Sequence, residues 1–99
     1  MTYRIELHPE ALLELKESYQ WYQERSDGLG LRFMGLINRR INEIAINPEI
    51  YTRKKGNYRE ALMDVFPYVI IYEILKKEGI VFISYVFHTK RNPRLKYKR

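Results

Sequence analysis

The acid–base and phosphate-binding chemistry available to this chain is concentrated around one histidine. His88 stands where an apolar run, "YVFHTKRNP", gives way to the cations Lys90 and Arg91. An imidazole titrates near neutral pH, so His88 can act as a general acid or base beside cations that hold phosphates. It can equally be a strand-end histidine bonded to backbone or water. A second basic group, Arg53, Lys54, Lys55 and Arg59, lies earlier in the chain, within or just before a strand. Metal-independent RNA cleavage needs a base for the 2′-hydroxyl, cations for the charge developing on the phosphorane, and an acid for the leaving oxygen. His88, Arg59 and Arg91, with Lys54 and Lys55, supply those types if they share one cleft. Binding without chemistry is the preferred reading of the basic cluster.

A third group is the segment "KRNPRLKYKR". Lys90, Arg94 and the other cations there can contact phosphates, and Tyr97 can stack on a base. Alternatively the segment is a frayed terminus, or it orders only on an acidic, disordered partner. No Gly-rich phosphate loop, Ser-centred nucleophile elbow or carboxylate pair is present, which leaves most common enzyme classes without support. With no cysteine and two histidines, no metal centre and no other cofactor is expected.

The elements that must position these residues follow from periodicity. Tyr3 to Leu7 alternates as a half-buried strand, and His8-Pro9 ends it. Pro9 and Glu10 suit the first turn of a helix running to about Arg25, with Leu12, Leu15, Tyr19 and Tyr22 as its apolar line and Leu13, Trp21 and Ala11 widening it. "SDGLG" breaks that helix, with Ser26 or Asp27 as a candidate cap. A second helix begins near Leu29 to Leu31, buries Phe33, Ile37, Ile41 and Ile44, and ends at Asn47-Pro48. "EIYTRKKGNY" reads as a surface loop. Three strands follow: Tyr58 to Asp64, Tyr68 to Leu75 and, after the turn "KKEG", Ile80 to Phe87. The last is apolar on both faces and so belongs in the middle of the sheet.

The fold class is therefore α+β, in the order β-α-α-β-β-β: a mainly antiparallel sheet, a helical hairpin packed on one face and a basic C-terminal tail, within a single domain spanning 1–99. Strict alternation puts Val81, Ile83, Tyr85 and Phe87 on one side of the last strand, and Ile80, Phe82, Ser84, Val86 and His88 on the other. The sheet face away from the helices must be an aromatic-lined surface or lie under a partner. Tyr19, Trp21 and Tyr22 are expected in the core. The chain carries 18 Lys and Arg against 12 Asp and Glu, a net charge of +6, which favours acidic or polyanionic partners. No stretch has the length of a signal peptide or a membrane span, so a cytoplasmic protein without a membrane partner is expected.

With this order in hand, "YRIELHPEALLELKESYQWY", "NYREAL", "FPYVIIYEI" and "YVFHTKRNP" together resemble toxins of the RelE/ParE superfamily, the plasmid-stabilisation type of bacterial toxin–antitoxin systems. The resemblance covers nearly the whole length. It implies a growth-inhibitory toxin held in a hetero-oligomer by a cognate antitoxin, whose C-terminal segment wraps the toxin's apolar and basic surfaces. Relatives of the RelE type cleave messenger RNA on the ribosome without a metal; those of the ParE type act on DNA gyrase. In the nuclease branch an arginine commonly follows the aromatic residue that opens the second meander strand. Here that place, after Tyr68, holds Val69, and the "FPY" and "FHTKRNP" segments look closer to the ParE-like branch. The resemblance thus implies His88, Arg59 and Arg91 as catalytic residues only for a nuclease. For a binding toxin it leaves Arg53, Lys54, Lys55, Lys90, Arg94 and Tyr97 as the target surface.

Overall fold

A computed structural model describes residues 2–99. Strand β1 (Arg4–Leu7) leads into helix α1 (Pro9–Arg25), then come helix α2 (Leu29–Ile46) and strands β2 (Arg53–Lys55), β3 (Tyr58–Leu62), β4 (Tyr68–Leu75) and β5 (Ile80–His88). The strands form one sheet in the order β1-β5-β4-β3-β2. β1 runs parallel to β5 and the other neighbours are antiparallel. β5 is an interior strand, between β1 and β4, as its two apolar faces require.

The helix boundaries have local causes. His8 caps α1, its Nδ1 accepting the Glu10 N–H at 3.0 Å, and Pro9, which has no N–H to satisfy, takes the first helical position. At the joint between the helices the capping residue is Gly28 rather than Ser26 or Asp27. Its φ of 84° reverses the chain in a conformation that costs glycine nothing. Two residues on, the helices touch at Gly30, where a Cβ would lie 2.6 Å from the Tyr19 carbonyl oxygen.

The hairpin packs on one face of the sheet. Leu15, Tyr22, Phe33, Ile37 and Ile44 meet Ile70, Tyr72, Val81, Ile83 and Val86 there, and the buried Tyr72 hydroxyl donates to the Pro48 carbonyl at 2.6 Å. The apolar stripe of α1 is narrower than its sequence suggests. Ala11 and Leu15 are buried, whereas Leu12, Leu13 and Trp21 are exposed, because the sheet, with its four-residue β1, and helix α2 cover only one side of the helix.

Two further features depart from the sequence reading. Arg53–Lys55, expected as loop, pairs as an edge strand with β3, with Arg53 opposite Arg59. Edge strands are commonly short and charged, which prevents pairing with other chains and hides them from a hydrophobicity search. The second is a β-bulge in β5: Ile71 pairs with Tyr85 but Tyr72 with Ile83, leaving Ser84 extra. The bulge inverts the alternation. Val81, Ile83 and Val86 lie under the helices, while Tyr85 and Phe87 lie on the opposite face with Val69 and Ile71. His88, one residue past the expected end of the strand, therefore emerges on the helical face.

Candidate functional site

The second face of the sheet is covered by the chain's own C-terminal segment. After β5, Asn92 caps a short helical turn, Pro93–Leu95, and the chain returns across Phe87 and Tyr85. Tyr97 packs against Tyr58, with ring centroids 5.3 Å apart, and its hydroxyl donates to Glu60. The Lys96 ammonium stands 3.5 Å from the same carboxylate, and the Lys98 N–H donates to the Tyr85 hydroxyl at 2.5 Å. Burial, then the Glu60 carboxylate, pushes the Tyr97 phenol up to about 12. The tail is neither frayed nor waiting for a partner to order it.

Its last contact is an ion-pair clasp at the open edge of β5. β1 accompanies β5 only as far as Ile83, so beyond that point the edge of β5 facing away from β4 has no strand beside it. Glu14 of α1 accepts the Val86 N–H at 3.0 Å, and the Arg99 guanidinium donates to the Ser84 carbonyl at 2.9 Å. These two side chains also bind each other through two hydrogen bonds, 2.8 and 2.9 Å, so a side-chain ion pair occupies the place of a strand. Arg99 further reaches Glu10 at 3.0 Å and lies over the Tyr85 ring, 4.1 Å from its centroid. The hydrogen bonds to Glu14 hold its guanidinium protonated beyond its already high pKa.

On the helical face, next to this clasp, lies a cleft of about 450 Å³. Glu14, Glu17, Ser18 and Trp21, at spacings of three, four and seven along α1, form one wall; Tyr68, Val86 and His88 form the other. Tyr68 is the strand partner of His88, and their rings meet edge to face at 5.0 Å. The His88 Nδ1 accepts the Lys90 N–H at 3.1 Å, so in the neutral ring the proton sits on Nε2. Burial, and then the neighbouring Tyr68, raises the Tyr22 phenol above its ordinary value.

The residues singled out from the sequence divide between separate places. His88 and Arg91 share the cleft, where Arg91 is 3.6 Å from Glu14 and lies over Phe87. Arg59 is elsewhere. It pairs with Tyr72, four residues along β4 from the partner of His88 and on the opposite side of that strand, which separates the two Cα atoms by roughly 16 Å. Its guanidinium donates to the Tyr51 carbonyl at 2.6 Å. Lys55 stands 5.5 Å from the Tyr97 ring, so the basic edge strand and the tail meet there. Arg53, Lys54, Lys90 and Arg94 are exposed. Val69 is 1% exposed, beneath the tail-covered face. Glu14, Glu17 and Trp21 were not singled out for this cleft, though their helical spacing was visible.

The model of the family described as "ParE toxin of type II toxin-antitoxin system, parDE" matches residues 5–93. Among curated proteins, none matches. Among solved structures, the chain is similar to the isolated RelE toxin of E. coli, with 18% identity, a TM-score of 0.64, and coverage of 93% of this chain and 89% of that one. It is also similar to the archaeal RelE–RelB complex from Pyrococcus horikoshii OT3, with 20% identity, a TM-score of 0.51, and coverage of 93% and 100%. Those likenesses carry the fold; the family match, over nearly the whole sheet and hairpin, carries the identity. The chain belongs to the ParE toxin family, within the RelE/ParE superfamily, and is the toxin of a type II toxin–antitoxin system.

Proposed function

We propose that this toxin arrests growth by binding and inhibiting its target, DNA gyrase, rather than by cutting RNA, and that a cognate antitoxin neutralises it in a hetero-oligomer. The observation that carries the reading is the composition of the His88 cleft. Two carboxylates, Glu14 and Glu17, line it, and its one guanidinium, Arg91, faces Glu14. Arg91 and the adjacent Arg99 are both engaged by Glu14, Glu17 has no cation beside it among the described residues and repels a phosphate, and Arg59 stands away from the cleft, so no free guanidinium is left there to hold one. The unencumbered cations, Arg53, Lys54, Lys90 and Arg94, lie outside the cleft and suit a docking surface for an acidic or nucleic-acid-bound target. The complex of RelE with RelB among the similar structures supports an antitoxin partner. Plasmid stabilisation and action in the cytoplasm fit the same reading.

The endoribonuclease reading keeps one observation in its favour, the placement of His88 and Arg91 in a single cleft. Expression in bacteria separates the two. A binding toxin remains toxic as His88→Ala, leaves transcript ends unchanged, and inhibits supercoiling by purified gyrase. Loss of toxicity in His88→Ala together with new RNA ends in the parent would overturn the proposal. Relief by the product of the neighbouring gene tests the antitoxin.

A further inference from the structure

We infer that the cleft between α1 and β5 is a receptor for an arginine side chain presented by a peptide partner. Trp21, Tyr22, Tyr68 and His88 offer aromatic surface to it, and Glu17 offers carboxylate oxygens that no cation holds among the described residues. A guanidinium is planar and weakly hydrated, stacks on aromatic faces and donates hydrogen bonds in a fork that carboxylates match. A lysine ammonium is a strongly hydrated point charge and uses the flat walls less well.

The molecule already shows this chemistry on both sides of the cleft. On one side Arg99 combines the Glu14 carboxylate with the Tyr85 ring, and on the other Arg25 lies 3.8 Å from the centroid of the Trp21 ring. Inside the cleft the demand is unmet. Glu17 has no ion pair among the described residues, and Arg91 stands at a long 3.6 Å from Glu14 with half its side chain in solvent. An incoming arginine therefore finds one free carboxylate, Glu17, between aromatic walls, and a weakly held internal competitor that can swing aside, while Glu14 stays engaged by Arg99.

The inference rests on the cleft being a binding site rather than a catalytic one, but not on gyrase. Its test uses the full chain and two probes, acetyl-Gly-Arg-Gly-amide and the same peptide with citrulline, which keeps the shape of arginine without its charge. Trp21 is the sole tryptophan, so its indole N–H resonance and its fluorescence report directly on the cleft. The arginine peptide is expected to give a saturable shift at Trp21, with the citrulline peptide at least fivefold weaker. Glu17→Gln weakens arginine binding threefold or more, and Arg91→Ala, which removes the competitor, strengthens it. Glu17 and Arg91 are both exposed, so the fold tolerates either change and circular dichroism confirms it. The inference is overturned if no saturable shift appears, if citrulline binds as well, or if Glu17→Gln leaves the affinity unchanged. Because gyrase takes no part in the titration, failure here and failure of the supercoiling assay are separate results.

Discussion

Replacing Glu14 by alanine is the most informative perturbation of this fold. Its carboxylate accepts one hydrogen bond from the Val86 N–H and two from Arg99, at 2.8 to 3.0 Å, and the two side chains are only 13% and 16% exposed. Truncation leaves a largely buried guanidinium with Glu10 as its one carboxylate beside the Ser84 carbonyl, and a strand-edge N–H without an acceptor. Breaking a buried pair from one side costs about 3–5 kcal/mol, and the residual exposure and the remaining Glu10 contact place this case near the lower end, at about 3 kcal/mol. For 99 residues that lowers the unfolding midpoint by roughly 15 °C. Glu14→Gln keeps an oxygen for Val86 but turns an amide towards Arg99, so it should lose about 2 kcal/mol. The clasp also predicts where the loss appears: trypsin should cut the segment after Lys90 far faster in Glu14→Ala than in the parent. A double-mutant cycle with Arg99→Ala isolates the pair, and a coupling of about 2 kcal/mol is expected. A midpoint within 2 °C of the parent, unchanged proteolysis, or a coupling below about 0.5 kcal/mol would refute the argument that a side-chain ion pair stands in for a strand.

Alkaline pH should loosen both faces of the sheet. The Tyr72 and Tyr97 phenols are pushed up to about 12 in the fold, against about 10 in an unfolded chain, so the folded state holds their protons more tightly. Their contribution is complete below pH 10 and is lost as pH rises through 12; chemical denaturation across that window should show stability falling, less steeply in Tyr97→Phe. Gly30→Ala puts a Cβ 2.6 Å from the Tyr19 carbonyl and should cost about 2 kcal/mol in urea unfolding. Val65→Gly should do the opposite. Val65, with φ of 71°, forms a γ-turn in which the Phe66 N–H reaches the Asp64 carbonyl at 2.7 Å, and relieving a β-branched residue there should raise the unfolding free energy by about 1 kcal/mol, read as a higher urea midpoint with an unchanged slope. A lower midpoint would show that the turn carries no such strain.

What the sequence revealed and what it hid have distinct physical causes. The 3.6-residue spacing of Phe33, Ile37 and Ile44 and the unbroken apolar run of β5 are local patterns, and both elements form where those patterns lie. The Ser84 bulge leaves no local trace, since one inserted residue among Val, Ile, Tyr and Phe changes faces without changing composition. The site suffered for it: strict alternation put Val86 and His88 with Ile80 and Phe82, and only the inversion sets His88 opposite the α1 wall. The tail was read as free because its cations are visible in sequence while their acceptors, Glu10, Glu14 and Glu60, are far away in the chain and close only in space. The basic residues flanking Gly56 read as loop because a three-residue edge strand of Arg and Lys has no hydrophobic period at all.

The parallel pairing of β1 with β5 places Arg4 beside Ile80. Since β5 is made after every strand it joins, a ribosome that has produced the hairpin and the meander's first strands has still not produced the strand that links β1 to the rest of the sheet. The early β1 must wait, unpaired, for a partner more than seventy residues downstream, and the slow closure of that long loop cannot begin before β5 has been made. Until β5 is in place, a toxin built this way has neither the His88 cleft nor the sheet face that the tail covers. The interval between synthesis and closure is then a window in which an antitoxin can meet the chain before it is armed.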